Sequence, residues 1–174
     1  MRRMTGIAVA AVLLLLLGSC QRLGAPATPG EALQNRRDNR PAAPDFTLPT
    51  ASGAPLTLSS LRGSYVLLDF RAPGCAGCAA ENANLRKIYG QFHHRGLVIV
   101  SVWQAPDPAA ARAAAAADEL PWAQALDQSG EAARAYQVSQ PPTAVLLDPR
   151  GYELARGLRG RDLGQKISEY IPLD

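Results

Sequence analysis

Cysteine and histidine are scarce in this sequence, which has three cysteines and two histidines among 174 residues. Three cysteines are too few for a disulfide-stapled scaffold, and a chain of this length buries a core without staples. A structural zinc site needs four ligands, and His93 and His94 lie together at the far end of the helix predicted to follow the pair Cys75 and Cys78. The sequence therefore predicts no metal and no cofactor.

Long apolar runs are also absent, since no run reaches the length of about 18 to 20 residues that is needed to span a bilayer. The longest run, 7–17, follows two arginines and is typical of a secretory signal. It ends in small residues before Cys20, which resembles a bacterial lipobox, where the peptidase cuts before the cysteine and the sulfur is acylated. We expect residues 1–19 to be a signal peptide and Cys20 to carry lipid. The alternative, an ordinary cleavage site, leaves Cys20 a lone thiol.

Charge of neither sign dominates, with 18 basic against 15 acidic side chains. Arg2 and Arg3 belong to the predicted signal, which leaves 16 against 15. This balance indicates no nucleic-acid partner. Residues 20–43 are rich in Pro, Ala, Gly and Arg and have no apolar periodicity, so they predict a flexible linker between the lipid and a folded domain at 44–174.

The domain alternates strand and helix patterns. Short β-rich runs at 46–48 and 56–58 predict a hairpin, and the apolar runs 64–70 and 97–103 predict strands buried on both faces. The remaining predicted elements are helices at 78–92, 108–120, 130–136 and 161–170 and strands at 143–148 and 152–156. This order predicts an α/β fold with a mixed, mostly parallel sheet, helices on both faces and an N-terminal β-hairpin.

A CxxC motif, Cys75-Ala76-Gly77-Cys78, follows the first buried strand and opens a helix. Unpaired N–H groups and the helix dipole stabilise a thiolate at a helix N-terminus, so Cys75 should attack. Cys78 lies one turn further and should resolve the mixed disulfide. Half of a zinc site and a structural disulfide are the alternatives, although so short a loop constrains the unfolded chain little.

The segment VLLDFRAPGCAGC at 66–78 resembles the active-site strand and turn of thioredoxins. The resemblance implies a thioredoxin-like fold in which Asp69 is buried beneath the cysteines and moves the second thiol's proton. A solvent-facing strand end is the alternative for Asp69. Residues 136–148 resemble the segment in which a cis-proline precedes the third core strand and packs against the disulfide, and Pro142 falls on that position.

Three features resemble the extracytoplasmic TlpA and ResA branch of the redoxin or AhpC/TSA superfamily. They are the predicted lipid anchor, the predicted hairpin, and Glu81, which lies three residues after Cys78. The resemblance implies a protein-disulfide reductase facing the periplasm or cell exterior. Its implied partners are protein thiols and disulfides, such as apocytochrome c cysteines, and a membrane electron donor of the thiol-transfer type. We also expect a monomer. Glu81 lies near the pair in that branch, and a solvated helix charge is the alternative.

Three positions depart from the family pattern. Arg71 and Gly74 stand where thioredoxins have tryptophan. Directed toward Cys75, Arg71 would lower the pKa of that thiol, and a surface position is the alternative. Pro141 occupies a position that normally offers a backbone N–H to an extended substrate, and proline has none. We therefore expect weak strand-like pairing with substrates and a narrow set of partners.

Two other functions compete with the reductase. A peroxiredoxin-like thiol peroxidase needs a threonine three residues before its reactive cysteine and a proline four residues before that threonine, and this chain has Ala72 and Leu68 there. A non-catalytic thioredoxin-fold module would bind a partner or copper. Copper chaperones of this fold usually combine CxxxC spacing with a distant histidine, and this chain lacks that combination.

Overall fold

The computed structural model describes residues 40–173. The predicted signal peptide 1–19, the lipidation site Cys20 and the linker up to residue 39 lie outside the described residues. Within 40–173, no helix has the length and apolar character needed to cross a membrane. Two contacts fall in the segment predicted as linker, since Ala42 pairs with Tyr152 and the Ala43 N–H donates to the Gly151 carbonyl at 2.9 Å.

Five strands form one sheet in the order β5-β4-β3-β6-β7. They are β3 (Tyr65–Arg71), β4 (Leu97–Gln104), β5 (Ala123–Asp127), β6 (Thr143–Leu147) and β7 (Glu153–Leu158). The β3-β4 and β4-β5 pairings are parallel, and the β3-β6 and β6-β7 pairings are antiparallel. A separate antiparallel pair, β1 (Thr47–Pro49) with β2 (Pro55–Thr57), is the predicted N-terminal hairpin. The mixed sheet and the hairpin are thus confirmed.

Among the described residues, three α-helices connect successive strands and a fourth follows β7: α1 (Ala76–Phe92), α2 (Pro108–Asp118), α3 (Glu131–Ala135) and the terminal α4 (Gly160–Ser168). Short 3-10 turns follow β2 and α1, at Leu58–Leu61 and His93–Arg95. The start of α2 is set by its sequence, because Pro108 suits the first helical position and the Asp107 carboxylate accepts the Ala109 N–H at 2.8 Å.

Side-chain alternation along β3 divides the core between the two faces of the sheet. Leu68 and Phe70 pack with the hairpin and α3, whereas Leu67 packs with residues of α1 and α4. Asp69 and Arg71 share the parity of Leu67, so they lie on the face that α1 covers. This alternation brings two charged residues beneath the helix that carries the cysteines.

Strand β5 was not predicted from the sequence. Its residues, Ala-Gln-Ala-Leu-Asp, include types with low strand propensity, and the segment is short. It forms a strand because it pairs with β4 and buries Ala125 and Leu126. Gln124 in β5 accepts a hydrogen bond from the Trp103 indole N–H at 2.8 Å and donates one to the Trp122 carbonyl at 2.8 Å.

Replacement of Asp107, the N-cap residue of α2, tests whether its side chain stabilises the start of the helix. We expect D107A to lower the free energy of unfolding by about 1 kcal/mol, because it removes the acceptor for an unpaired N–H. D107S keeps an oxygen acceptor and should retain most of the stability. In urea unfolding the midpoint of D107A should fall at unchanged slope. Equal midpoints for D107A and the wild-type protein would contradict the capping role.

Candidate active site

The two cysteines of the CxxC motif form a disulfide at the N-terminus of α1. Cys75 is the N-cap residue, and its sulfur accepts the Cys78 N–H at 3.1 Å. Cys75 is partly exposed, whereas Cys78 is buried with 3% of its surface accessible. A partner can therefore reach the first sulfur more readily than the second.

Asp69 lies on the sheet face covered by α1, with 3% of its surface exposed, which excludes a solvent-facing position. The β3-β4 register sets Asp69 beside Ser101, whose hydroxyl is 3.3 Å from the Asp69 carboxylate. The Trp122 indole N–H donates to the same hydroxyl at 2.9 Å. Burial raises the pKa of Asp69 to about 6, although the Arg71 charge and the Ser101 hydroxyl both oppose that rise.

Arg71 is completely buried, which excludes the surface position. Its Nη2 donates to the Cys78 carbonyl at 2.8 Å and to Asn82 Oδ1 at 2.6 Å. The guanidinium thus binds the first turns of α1 from below. The sequence analysis did not single out Asn82, although its spacing of four residues from Cys78 places it on the same helix face.

The same guanidinium lies between two carboxylates and an indole. Its Nε is 3.5 Å from Asp69 Oδ2, and its Nη2 is 3.0 Å from Asp118 Oδ2. Its Cζ lies 5.0 Å from the ring centroid of Trp103, within the range of a cation–π contact. Asp118 was missed by the sequence analysis, because an acidic residue at a helix end is usually a solvated charge. The signal was its position at a helix C-terminus, where the dipole disfavours an acid.

Glu81 has a different environment from the solvated charge considered above. It is partly buried, its Oε1 accepts the Gly160 N–H at 3.0 Å, and its Oε2 accepts from the Asn84 side-chain amide at 3.1 Å. That amide also donates to the Gly160 carbonyl at 2.8 Å. Glu81 therefore ties α1 to the start of α4.

The Pro142 loop packs against the CxxC turn. The Pro141–Pro142 peptide bond is cis, as the family resemblance implies. A Cβ placed on Gly77 would lie 3.1 Å from Pro142 Cδ, so a side chain at position 77 would crowd the proline ring. Glycine between the cysteines thus permits the close approach of the Pro142 loop.

An open groove of about 300 Å³ runs beside the disulfide, and both cysteines line it. Its other wall comes from Trp103 and from Ala114 and Ala117 of α2. In the part of the chain that the structure describes, no three His, Cys, Asp or Glu side chains gather as a metal-binding group. The site therefore offers a surface disulfide beside an apolar groove, with a buried carboxylate and guanidinium underneath.

Known proteins resemble this chain in sequence. The AhpC/TSA family matches residues 40–152. The thiol-disulfide oxidoreductase ResA of Bacillus subtilis is 28% identical over 131 residues, which are 75% of this chain and 73% of ResA.

Solved structures agree with these sequence matches. A thiol-disulfide oxidoreductase from Bacteroides fragilis is 32% identical, with a TM-score of 0.69 over 75% of this chain and 99% of its own. The thioredoxin domain of a thiol-disulfide oxidoreductase from Bacteroides vulgatus is 29% identical, with a TM-score of 0.71 over 75% of this chain and 96% of its own. With a CxxC disulfide on the same fold, this chain belongs to the AhpC/TSA family and is a thiol-disulfide oxidoreductase with a thioredoxin-like fold.

Proposed function

We propose that the chain is an extracytoplasmic, membrane-anchored protein-disulfide reductase in which Cys75 attacks and Cys78 resolves. The observation that carries the proposal is the unequal exposure of the two sulfurs at a helix N-terminus. The thiolate is the nucleophile in thiol exchange, and it forms most readily at the exposed, dipole-stabilised cysteine.

The reaction conserves electrons in two exchanges. The Cys75 thiolate attacks one sulfur of a substrate disulfide, which forms a mixed disulfide and releases the first substrate thiolate. Cys78 then loses its proton and attacks the Cys75 sulfur, which releases the second substrate thiolate and leaves the Cys75–Cys78 disulfide. A membrane dithiol donor supplies the two electrons that reduce this disulfide, and the donor becomes a disulfide.

Asp69 is the proposed acceptor of the Cys78 proton. It lies on the sheet face beneath α1, and a pKa of about 6 leaves it largely ionised at neutral pH yet basic enough to hold a proton. Arg71 connects the two groups, because the guanidinium contacts both the Asp69 carboxylate and the Cys78 carbonyl.

The proposed anchor and direction rest on resemblance. The signal-like segment at 1–19 and the lipobox-like Cys20 support export and lipidation of the chain, which we expect to be a monomer. The similarity to ResA supports reduction of protein disulfides with electrons from a membrane donor of the thiol-transfer type, and apocytochrome c cysteines are the substrate that the branch implies.

Trapping of a mixed disulfide tests the cysteine roles. We expect C78S, in a chain from residue 20 that also carries C20S, to accumulate a covalent adduct with a protein disulfide substrate, because no resolving thiol remains. C75S should form none. The measurement is non-reducing electrophoresis with mass spectrometry of the adduct. Adducts at position 78 in C75S, or peroxide reduction as fast as disulfide reduction by the C20S chain, would contradict the proposal.

The reduction potential of the pair tests the direction. A value near that of thioredoxin, about −270 mV, is expected for a reductase, whereas about −120 mV would identify an oxidant. Equilibration of the C20S chain with dithiothreitol buffers gives the value, and C78S, which cannot form the intramolecular disulfide, serves as the blank.

The pH dependence of stability tests the burial of Asp69. Its pKa is 3.8 when exposed and about 6 in the fold, so the native state holds more protons between these values. The contribution of Asp69 to stability is full below pH 4 and is lost as the pH rises through 6, a loss of about 3 kcal/mol. Urea unfolding at several pH values should show this fall in the oxidised protein.

D69N is the matched control for that measurement, because asparagine does not titrate. The difference in unfolding free energy between the wild-type protein and D69N should change across pH 4 to 7 and level off on either side. D69N should also slow resolution of the mixed disulfide. A pH-independent difference, with resolution as fast as in the wild-type protein, would remove Asp69 from the mechanism.

A backbone donor restored at position 141 tests the predicted substrate range. P141A supplies an N–H that an extended substrate can use, and one such hydrogen bond is worth about 0.5–1.5 kcal/mol, or roughly two- to tenfold in kcat/KM. We expect faster reduction of unrelated peptide disulfides and no change with small disulfides that lack a peptide strand. Equal gains for both substrate classes would contradict the account.

A further inference from the structure

One buried cation in this fold is shared by two carboxylates from different elements. Arg71 on β3 has Nε 3.5 Å from Asp69 Oδ2 and Nη2 3.0 Å from Asp118 Oδ2 at the end of α2. The side chains of Arg71 and Asp69 are 0% and 5% exposed, and that of Asp118 is 19% exposed. If either carboxylate were removed, the guanidinium would form an ion pair with the remaining carboxylate alone.

Asp118 occupies a position that its own helix disfavours. It is the last residue of α2, where the carbonyl ends of the dipole repel a negative charge. Asp118 also lines the groove beside the disulfide. The contact with Arg71 compensates this unfavourable position. The charge of Asp118 therefore interacts favourably with the groups beneath the disulfide and unfavourably with its own helix.

The charged and polar groups that face Asp69 come from four elements. Arg71 on β3 and Ser101 on β4 favour its ionised form, whereas Glu81 on α1 and Asp118 on α2 disfavour that form. Glu81 is held by the start of α4, so its charge is fixed in place. Asp118 acts on Asp69 twice, directly through its charge and indirectly through its hold on Arg71.

We propose that Arg71 is a positioning residue whose charge is divided between Asp69 and Asp118, and that Asp118 thereby tunes how readily Asp69 takes up the Cys78 proton. The inference rests on the proposed role of Asp69 in the reductase. If Arg71 paired with Asp69 alone, the Asp69 carboxylate would be a weak base. If Arg71 did not pair with Asp69, that carboxylate would be protonated at neutral pH. The shared cation holds Asp69 between these limits.

The hydrogen bonds of Arg71 are consistent with this division. Among the described residues, its Nε and Nη1 have no hydrogen-bond partner, while Nη2 carries the bonds to Cys78 and Asn82. The Asp69 contact is therefore an ion pair without a hydrogen bond. Its strength depends on how much of the charge Asp118 neutralises.

Two substitutions with opposite expected signs test the proposal. We expect D118N to move the titration midpoint of Asp69 to lower pH, because a negative neighbour is lost and Arg71 is released. R71M should move it to higher pH by about one unit or more, as expected for loss of an adjacent opposite charge. Carbon-13 NMR of the carboxyl groups gives the midpoint, with the Asp69 resonance assigned by its absence in D69N.

The acid limb of the pH profile for mixed-disulfide resolution should shift in the same direction as each midpoint. A merely structural role would slow the reaction in both variants without opposite shifts. D107N is the matched control, since it removes the same charge from the other end of α2 and keeps a capping side chain. It should leave the Asp69 midpoint unchanged.

An unchanged or raised midpoint in D118N, or an equal shift in D107N, would overturn the proposal. If R71M fails to fold, the D118N and D107N pair still decides it. The adduct trapped by C78S measures the proposed function separately. A trapped adduct without the D118N shift refutes only the division of charge, and a shift without an adduct refutes only the proposed reaction.

Discussion

The packing of the elements around the disulfide depends on an ion pair that is buried beneath it. Asp69 and Arg71 lie 3.5 Å apart on the face of β3 that α1 covers. Each buried ion costs several kcal/mol unless partners compensate it, so the neighbouring elements must supply those partners. Strand β4 supplies Ser101, α1 supplies the Cys78 carbonyl, and α2 supplies Asp118. The relative positions of β3, β4, α1 and α2 are therefore fixed by polar contacts as well as by apolar packing.

The location of Arg71 has opposite effects on the helix and on the chemistry. The guanidinium lies under the N-terminal turn of α1, where the dipole is already positive, so it opposes the start of the helix. The guanidinium charge and the positive end of the helix dipole both favour an anion at that turn. In the proposed reaction the thiolate forms there, at the N-cap residue Cys75. A charge that is unfavourable beside the helix dipole would thus stabilise the proposed nucleophile.

Much of the fold could be predicted from the sequence because local patterns determine it. The runs that became β3 and β4 are almost continuously apolar, and the segment 66–78 resembles the active-site strand and turn of thioredoxins. Strand β5 could not be predicted, since its residues form a strand only through pairing with β4 and through a hydrogen bond that Gln124 accepts from the distant Trp103 indole. Asn82, Ser101 and Asp118 were missed for a similar reason. Each is a polar residue whose role comes from a partner on another element, and no local spacing reveals that partner.

The position of Arg71 shows how a charged side chain can occupy a site where the family usually has an aromatic one. Its side chain is completely buried, and its Cζ lies 5.0 Å from the centroid of the Trp103 ring, within the range of a cation–π contact. In the proposed division of charge, a second acid shares the guanidinium with Asp69, so that Arg71 does not fix that carboxylate as an ion. Asp118 is that second acid at the end of α2, where its partial exposure lowers the cost of desolvating its charge. The substitution of arginine for an aromatic residue and the acid at an unfavourable helix end are therefore two parts of one arrangement.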